Sequence, residues 1–146
     1  MQNLESITIC LPHSLRSLTA REGVDIEVRL EPEDTMLYAD RALMSQVFVN
    51  LLKNATEALM AQDCDHKITI HSTIDTEERI QIEITNSGSA IPAEVAENIF
   101  TPFFTTKADG SGIGLAVSRQ IIRLHGGSLR LKHNEEGKVT FAVVME

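Results

Sequence analysis

Two asparagines and a glutamate, Asn50, Asn54 and Glu57, stand four and three residues apart in the stretch Phe48 to Leu59, Phe-Val-Asn-Leu-Leu-Lys-Asn-Ala-Thr-Glu-Ala-Leu. Side chains at those offsets stack on one side of an α-helix. Asparagine favours caps and turns over helix interiors, so two of them in mid-helix call for a reason. One reason is a solvated helix edge where amides happen to fall. The other is an amide ladder facing a cleft, whose side-chain carbonyls complete the shell of a hard cation or orient a phosphate. A second stretch, Gly110-Ser-Gly-Ile-Gly114, has glycine at alternate positions, which lets backbone approach a ligand and adopt positive φ. A helix starting there would turn free amides and the positive end of its dipole toward an anion. It matches neither a Walker loop, since no Gly-Lys-Ser/Thr follows, nor a dinucleotide fingerprint, since no parallel βαβ unit surrounds it. The third stretch, Asn86-Ser-Gly-Ser-Ala-Ile-Pro92, leaves a strand and enters a helix. Its first side chain either closes an Asx-turn or reads the edge of a planar ring sliding over Gly88.

These residues need elements to hold them. Met44, Val47, Phe48, Leu51, Ala55, Ala58 and Leu59 form one apolar face at the helical period, which predicts a long helix with Asp40 as N-cap, running out near Gln62. Before it, Ser6 to Cys10 reads as a short edge strand. A helix follows from Pro12, with Leu11, Leu15 and Leu18 as its buried stripe, and ends near Gly23. Val24 to Leu30 alternates like a strand with one wet face, and Met36 to Tyr38 pairs briefly. Beyond the polar loop Asp63 to His66, Lys67 to Thr73 and Arg79 to Thr85 alternate with Ile68, Ile70, Ile80, Ile82 and Ile84 pointing one way. The short polar connection between them predicts an antiparallel hairpin. Ala93 to Ile99 reads as a short helix, and Thr101 to Gly112 as a long loop of the kind that is functional or mobile. Ile113 to Leu124 reads as a helix ended by Gly126-Gly127. Ser128 to His133 and Lys138 to Val144 make a second hairpin around Asn134 to Gly137. The fold class expected is α+β: a two-layer α/β sandwich in which a mixed, mostly antiparallel sheet is covered on one face by about three helices.

A length of 146 residues suits a single domain, 1–146, and 42% hydrophobic residues suffice for one core. A net charge of −8 argues against nucleic acid as a partner, although a small anion needs only a local positive patch. No apolar run is long enough for a membrane span and no leader opens the chain, so no direct membrane insertion is expected. Cys10 and Cys64 are too few and too far apart for a disulfide scaffold or a zinc site. A reducing, cytoplasmic setting is the expectation.

In their order and spacing these stretches resemble the catalytic ATP-binding domain of two-component sensor histidine kinases, within the superfamily of gyrase-like, chaperone and mismatch-repair ATPases. Asn50-Leu-Leu-Lys-Asn54-Ala-Thr-Glu-Ala is similar to its N box and Asn86-Ser-Gly-Ser-Ala-Ile-Pro to its G1 box. Ile99-Phe-Thr-Pro-Phe-Phe-Thr-Thr-Lys107 is similar to its F box, and Gly110-Ser-Gly-Ile-Gly-Leu-Ala-Val-Ser118 to its G2 box. His125-Gly-Gly-Ser-Leu resembles the segment that follows. The resemblance covers roughly Asp40 to the C-terminus.

It implies ATP and Mg²⁺ as cofactors. Asn54 would hold the metal, Asn50 would position the triphosphate, and Lys107 would touch phosphate; these three are the catalytic candidates. Asn86 would face adenine over Gly88, with Ala90 and Ile91 beside it. Thr101 to Ser111 would be a lid over the nucleotide, with Gly110, Gly112 and Gly114 as its hinge and Ile113 and Leu115 lining the far side. Two positions depart from the family pattern: Asn86 stands where aspartate is usual, and Ala90 where a second glycine is usual. The superfamily's hydrolases resemble one another in placing a glutamate one helical turn before the metal-binding asparagine. Here that position is Asn50, which takes no proton, and Glu57 lies a turn beyond Asn54 on the other side.

A phosphotransferase is therefore expected, with a catalytically degenerate nucleotide-binding module as the alternative and a slow hydrolase behind both. Family acceptor histidines are followed by an acidic residue. His13, His66, His71, His125 and His133 are followed by Ser, Lys, Ser, Gly and Asn. The implied acceptor lies on a separate helical dimerisation segment of the parent kinase, absent from this chain. The implied downstream partner is the receiver domain of a response regulator, and the parent is left free to be anchored in the inner membrane. Without that helical segment, a monomer is expected.

Overall fold

The computed structural model of the chain describes residues 4–8, 23–31, 36–60, 66–104 and 113–145. The helix predicted from Pro12, both cysteines and His13 lie outside them, as do Lys107, Gly110 and Gly112.

The five stretches expected as strands of the sheet become β2 (Asp25–Leu30), β4 (Lys67–Ile74), β5 (Ile80–Asn86) and, after a helix, the pair β6 (Ser128–Glu135) and β7 (Lys138–Met145). They form one five-stranded sheet in the order β2-β4-β5-β7-β6. Every neighbouring pair is antiparallel except β2 with β4, which is parallel. The isoleucines read as one face do point one way: Ile68, Ile82 and Ile84 are at most 1% exposed, and Ile70 and Ile80 are buried beside them. The opposite face carries Glu27, Lys67, Thr69, His71, Gln81, Glu83 and Lys132. Its side chains pair with one another, Lys132 with Glu83 and Lys67 with Glu27 at 3.3 Å. A bulge between Leu131 and His133 takes Lys132 out of register.

The first strand, β1 (Leu4–Thr8), starts two residues before the expected position and does not edge this sheet. It pairs antiparallel with β3 (Met36–Asp40), which is longer than anticipated, in a separate two-stranded ribbon. That ribbon buries Leu37 and Ala39 against the core and delivers the chain into α1 (Arg41–Met60). Asp40 is the N-cap there: its Oδ1 accepts the Leu43 N–H at 3.2 Å. The helix buries Met44, Val47, Leu51, Leu52, Ala55, Thr56 and Leu59. Phe48 and Ala58, expected on the buried face, are only half-buried, while Leu52 and Thr56 are added. Thr56 is tolerated because its hydroxyl donates to the Leu52 carbonyl at 2.8 Å.

The short helix α2 is cut to Ala93–Ala96, with turns over residues 97–100. The last helix, α3 (Gly114–Leu124), starts one residue later than expected. Its end is a Schellman motif, in which Gly126 N–H donates to Arg123 O and Gly127 N–H to Ile122 O, both at 3.0 Å. Gly126 takes the left-handed conformation this requires, at φ +79°. Helices α1 and α3 lie over the buried face of the sheet, and Ile121 and Ile122 join the isoleucines there. The described residues thus form the expected two-layer α+β sandwich, with three helices.

Candidate functional site

Helix α1 is the spine of the site. Asn50, Asn54 and Ala58 follow one another at four-residue intervals on one side of it, so the first and last are about 12 Å apart along the axis. At the N-terminal end, Asn50 reaches across to α3. Its Nδ2 donates to the Gly114 carbonyl at 3.3 Å and to Ser118 Oγ at 3.2 Å. A carbonyl only accepts, so the amide's orientation is settled, and the end left over is the acceptor Oδ1. Ser118, fully buried, is a hydrogen-bond partner of Asn50 that the glycine pattern alone did not single out.

At the C-terminal end of α1 lies Gly88. A Cβ built on it would sit 3.0 Å from Asn86 Oδ1 and 3.7 Å from both the Ala58 carbonyl oxygen and Leu59 Cδ2. Close approach explains this glycine, and its φ is not positive. Gly114 is likewise not left-handed, contrary to the expectation for a glycine at that turn, and a Cβ there would make ordinary contact with Asn50 at 3.8 Å. What residue 114 supplies is the carbonyl that holds Asn50.

Asn86 is 3% exposed and closes an Asx-turn, its Oδ1 accepting the Gly88 N–H at 2.9 Å. The two readings left open by the sequence are therefore compatible, because the turn is made and the second end of the amide is an NH₂ donor. The same stretch is held from a direction not foreseen. The β6–β7 hairpin grips it through Gly137 N–H to Gly88 O at 3.0 Å, Ala90 N–H to Glu136 Oε2 at 3.3 Å, and a two-bond contact between Asn134 and the backbone of Ile91. By sequence Asn134 belongs only to the turn of that hairpin. Its partner lies 43 positions away, and nothing local signals such a contact.

The N-terminus of α3 brings no negative charge of its own. Its N-cap is Ile113, which has no side-chain acceptor, and its first turn contains no acidic residue. The macrodipole and the first amides there favour negative charge. Ile113 is exposed, and Gly114 and Leu115 are half-buried.

The start of the long loop is fixed by aromatic contacts. Phe100 meets Phe141 edge-on, with centroids 6.2 Å apart, and the Arg119 guanidinium stacks over its ring at 4.4 Å. Phe103 behaves differently: it is 78% exposed and holds φ +68°, a conformation uncommon for a bulky residue. Phe100 and Phe104, on either side of it, are half-buried. His125 proves to be a packing residue. Its Nδ1 bonds the Ile121 carbonyl at 2.8 Å and its Nε2 accepts the Asp40 N–H at 3.1 Å, so it joins the end of α3 to the start of α1.

Among the described residues no group of three or more His, Cys, Asp or Glu is placed to hold a metal. Amide oxygens on α1 are the donors this site offers a hard cation. No helix among these residues is long and apolar enough to cross a membrane.

Residues 39–146 match the family model described as histidine kinase-, DNA gyrase B-, and HSP90-like ATPase. The sensor protein FixL of Bradyrhizobium diazoefficiens is 40% identical over 123 residues, covering 84% of this chain and 24% of that protein. The sensor histidine kinase ZraS of Salmonella typhi is 36% identical over 136 residues, covering 91% of this chain and 29% of that one. The present chain thus spans about a quarter of the length of such relatives. Among solved structures, the nucleotide-free catalytic domain of the histidine kinase ThkA superposes with a TM-score of 0.81 at 31% identity, covering 99% of this chain and 95% of that one. ThkA in complex with the response regulator TrrA gives 0.75 at 30% identity, covering 97% and 41%.

Proposed function

Since the chain belongs to the histidine kinase-, DNA gyrase B- and HSP90-like ATPase family, as the domain of that kind carried by sensor histidine kinases, we propose that it binds Mg-ATP and presents the γ-phosphoryl group to a histidine on a separate dimerisation domain of its parent kinase. A response regulator then takes the phosphoryl group on. The observation that carries this reading is the bridging of α1: Asn50 is bonded to the start of α3, while Gly88 lies against Ala58 and Leu59 one turn beyond Asn54. A nucleotide lying along α1 would have its base at Gly88 and its phosphates at the amides of α3, with Asn54 between them.

The roles follow from chemistry. A bound Mg²⁺ would supply charge neutralisation at the phosphates. Asn54 would supply it with a side-chain oxygen. With its NH₂ engaged by Gly114 and Ser118, Asn50 would offer only Oδ1, which suits the metal side or an ordered water and not a phosphate oxygen. Lys107, Gly110 and Gly112 would close over the phosphates from the loop. Phosphoryl transfer asks chiefly for positioning and charge neutralisation. Hydrolysis asks for a base on water, and an asparagine committed to two hydrogen bonds provides none, which ranks the hydrolase reading lower.

The test is calorimetric titration of ATP with and without Mg²⁺, followed by transfer of labelled phosphate to an added acceptor domain from a relative. Mg²⁺-dependent binding and acceptor-dependent transfer are the expected results. Steady ATP turnover near a typical enzyme value of about 10 per second in the chain alone would overturn the phosphotransferase assignment.

A further inference from the structure

The stretch 86–91 is a loop by sequence, yet its backbone is held at nearly every residue. Ser87 continues the ladder to β4, exchanging bonds with Lys67 through its N–H and its hydroxyl, both at 3.1 Å. Gly88 is held by Asn86 on one side and by Gly137 on the other. From Ala90 onward the β6–β7 hairpin supplies the restraint, and the pair of short bonds in it belongs to Asn134. Its Oδ1 accepts the Ile91 N–H at 2.6 Å and its Nδ2 donates to the Ile91 carbonyl at 2.8 Å. Both ends of one half-buried side chain grip both polar groups of one residue, so no other single contact in the stretch fixes a residue's orientation as fully.

We infer that Asn134 is a positioning residue for the base end of the nucleotide site. The inference rests on the reading that residues 86–91 form that end. Its cause is geometric. An Asx-turn at Asn86–Gly88 fixes where the stretch begins, but residues 90 and 91 are past that turn and are held from the hairpin, Ala90 by one bond to Glu136 and Ile91 by the two from Asn134. The clamp sets the distance between Ile91 and Gly88, and hence the width of the slot a planar base would enter. Ala90 stands where the family pattern has a second glycine, so backbone freedom there is reduced and correct placement from outside matters more. The two hydrogen bonds of the clamp both go to Ile91, at the opposite end of the site from Asn50.

Competition against a fluorescent ATP analogue, with ATP and CTP as the competing probes, separates this role from a general structural one. In Asn134→Ala, ATP affinity should fall about tenfold while CTP affinity, which draws little on a purine-shaped slot, changes less than twofold. Asn134→Asp keeps the acceptor for the Ile91 N–H but sets a carboxylate against the Ile91 carbonyl, and should lose ATP affinity to a similar degree. Amide exchange at Ile91 should quicken in both variants. If ATP and CTP weaken in equal proportion, Asn134 is only structural. Unchanged ATP binding in both variants likewise overturns the inference while leaving the ATP reading intact. A parent chain that binds neither nucleotide overturns that reading and this inference together.

Discussion

An amide side chain has two unlike ends, and at three asparagines here the surroundings settle which end is engaged. Asn50 and Asn134 are oriented by backbone carbonyls, and Asn86 by a backbone N–H. For Asn86 this sharpens the expectation about base choice. Aspartate at the same place would keep the Gly88 N–H on one oxygen and offer the other, charged, to adenine's amine; asparagine offers an NH₂ there. Asn86→Asp should tighten ATP by on the order of 1 kcal/mol, or about fivefold, and raise discrimination against GTP by a similar factor. Equal affinities in a side-by-side titration would remove Asn86 from base reading. Asn54→Ala should abolish the Mg²⁺-dependent part of ATP binding far more than it harms folding, since alanine is the better helix former by about 0.7 kcal/mol. A variant that melts well below the parent yet binds Mg-ATP normally would make Asn54 structural. Far from the site, Asp75 organises the β4–β5 turn, accepting the backbone N–H groups of Glu77 and Arg79 and the Arg79 and Gln81 side chains. These bonds, the Arg79 N–H foremost, hold its carboxyl below the usual range. A depressed folded-state value stabilises the fold at pH above the unfolded value of about 3.9 and is lost as pH falls through the lower folded value. The urea midpoint of Asp75→Asn should therefore trail the parent at pH 7, with the gap narrowing below about pH 4.

At the scale of elements, two turns make opposite demands. In the β4–β5 connection Glu78 holds φ +63°, which costs an L-residue about 1 kcal/mol or more. Glu78→Gly removes that strain but frees the unfolded chain, so a net gain of up to about 1 kcal/mol is expected from denaturant unfolding. After α3 the reverse holds. A Cβ on Gly127 would lie 2.3 Å from the Val144 backbone oxygen, and Gly127→Ala should destabilise the fold by about 3 kcal/mol, as overpacking against rigid backbone does. Should it unfold at the parent's midpoint, β7 must be able to move aside. The elements themselves were legible because their periods are clean: the isoleucines of β4 and β5 repeat every second residue and the apolar face of α1 every three or four. Partners were less legible. Alternation says that residues 25–30 form a strand, but not that the strand runs parallel to β4, and two five-residue strands forming their own ribbon carry no periodicity beyond that of an edge. The boundaries of α2 and α3 moved because a proline or a glycine marks a break without saying on which side of it helical hydrogen bonds begin.

For the molecule as a whole, the site was legible to the extent that its residues are local in the sequence. Asn50, Asn54 and Gly88 could be read as candidates from two short stretches. The contacts of Ser118, Asn134 and Glu136 could not, because each acts on a backbone or side chain dozens of positions away, and Asn134 and Glu136 lie in an ordinary hairpin turn. For the exposed, left-handed Phe103 we propose a role at this scale too, as a docking point for the acceptor domain. Phe103→Ala should leave ATP affinity unchanged and lower phosphate transfer to a supplied acceptor domain severalfold; transfer at the parental rate would assign the ring no docking role. The single parallel pairing has a different consequence, which concerns time. The hairpins β4–β5 and β6–β7 join neighbours in the chain and form within microseconds, whereas β2 reaches β4 only after residues 31–66, with the ribbon strand β3 and all of α1, have closed into a crossover. That crossover contains Asn50 and Asn54. A refolding chain should accordingly recover its sheet signal first and its capacity to capture nucleotide last, the one property that selection sees arriving with the slowest loop.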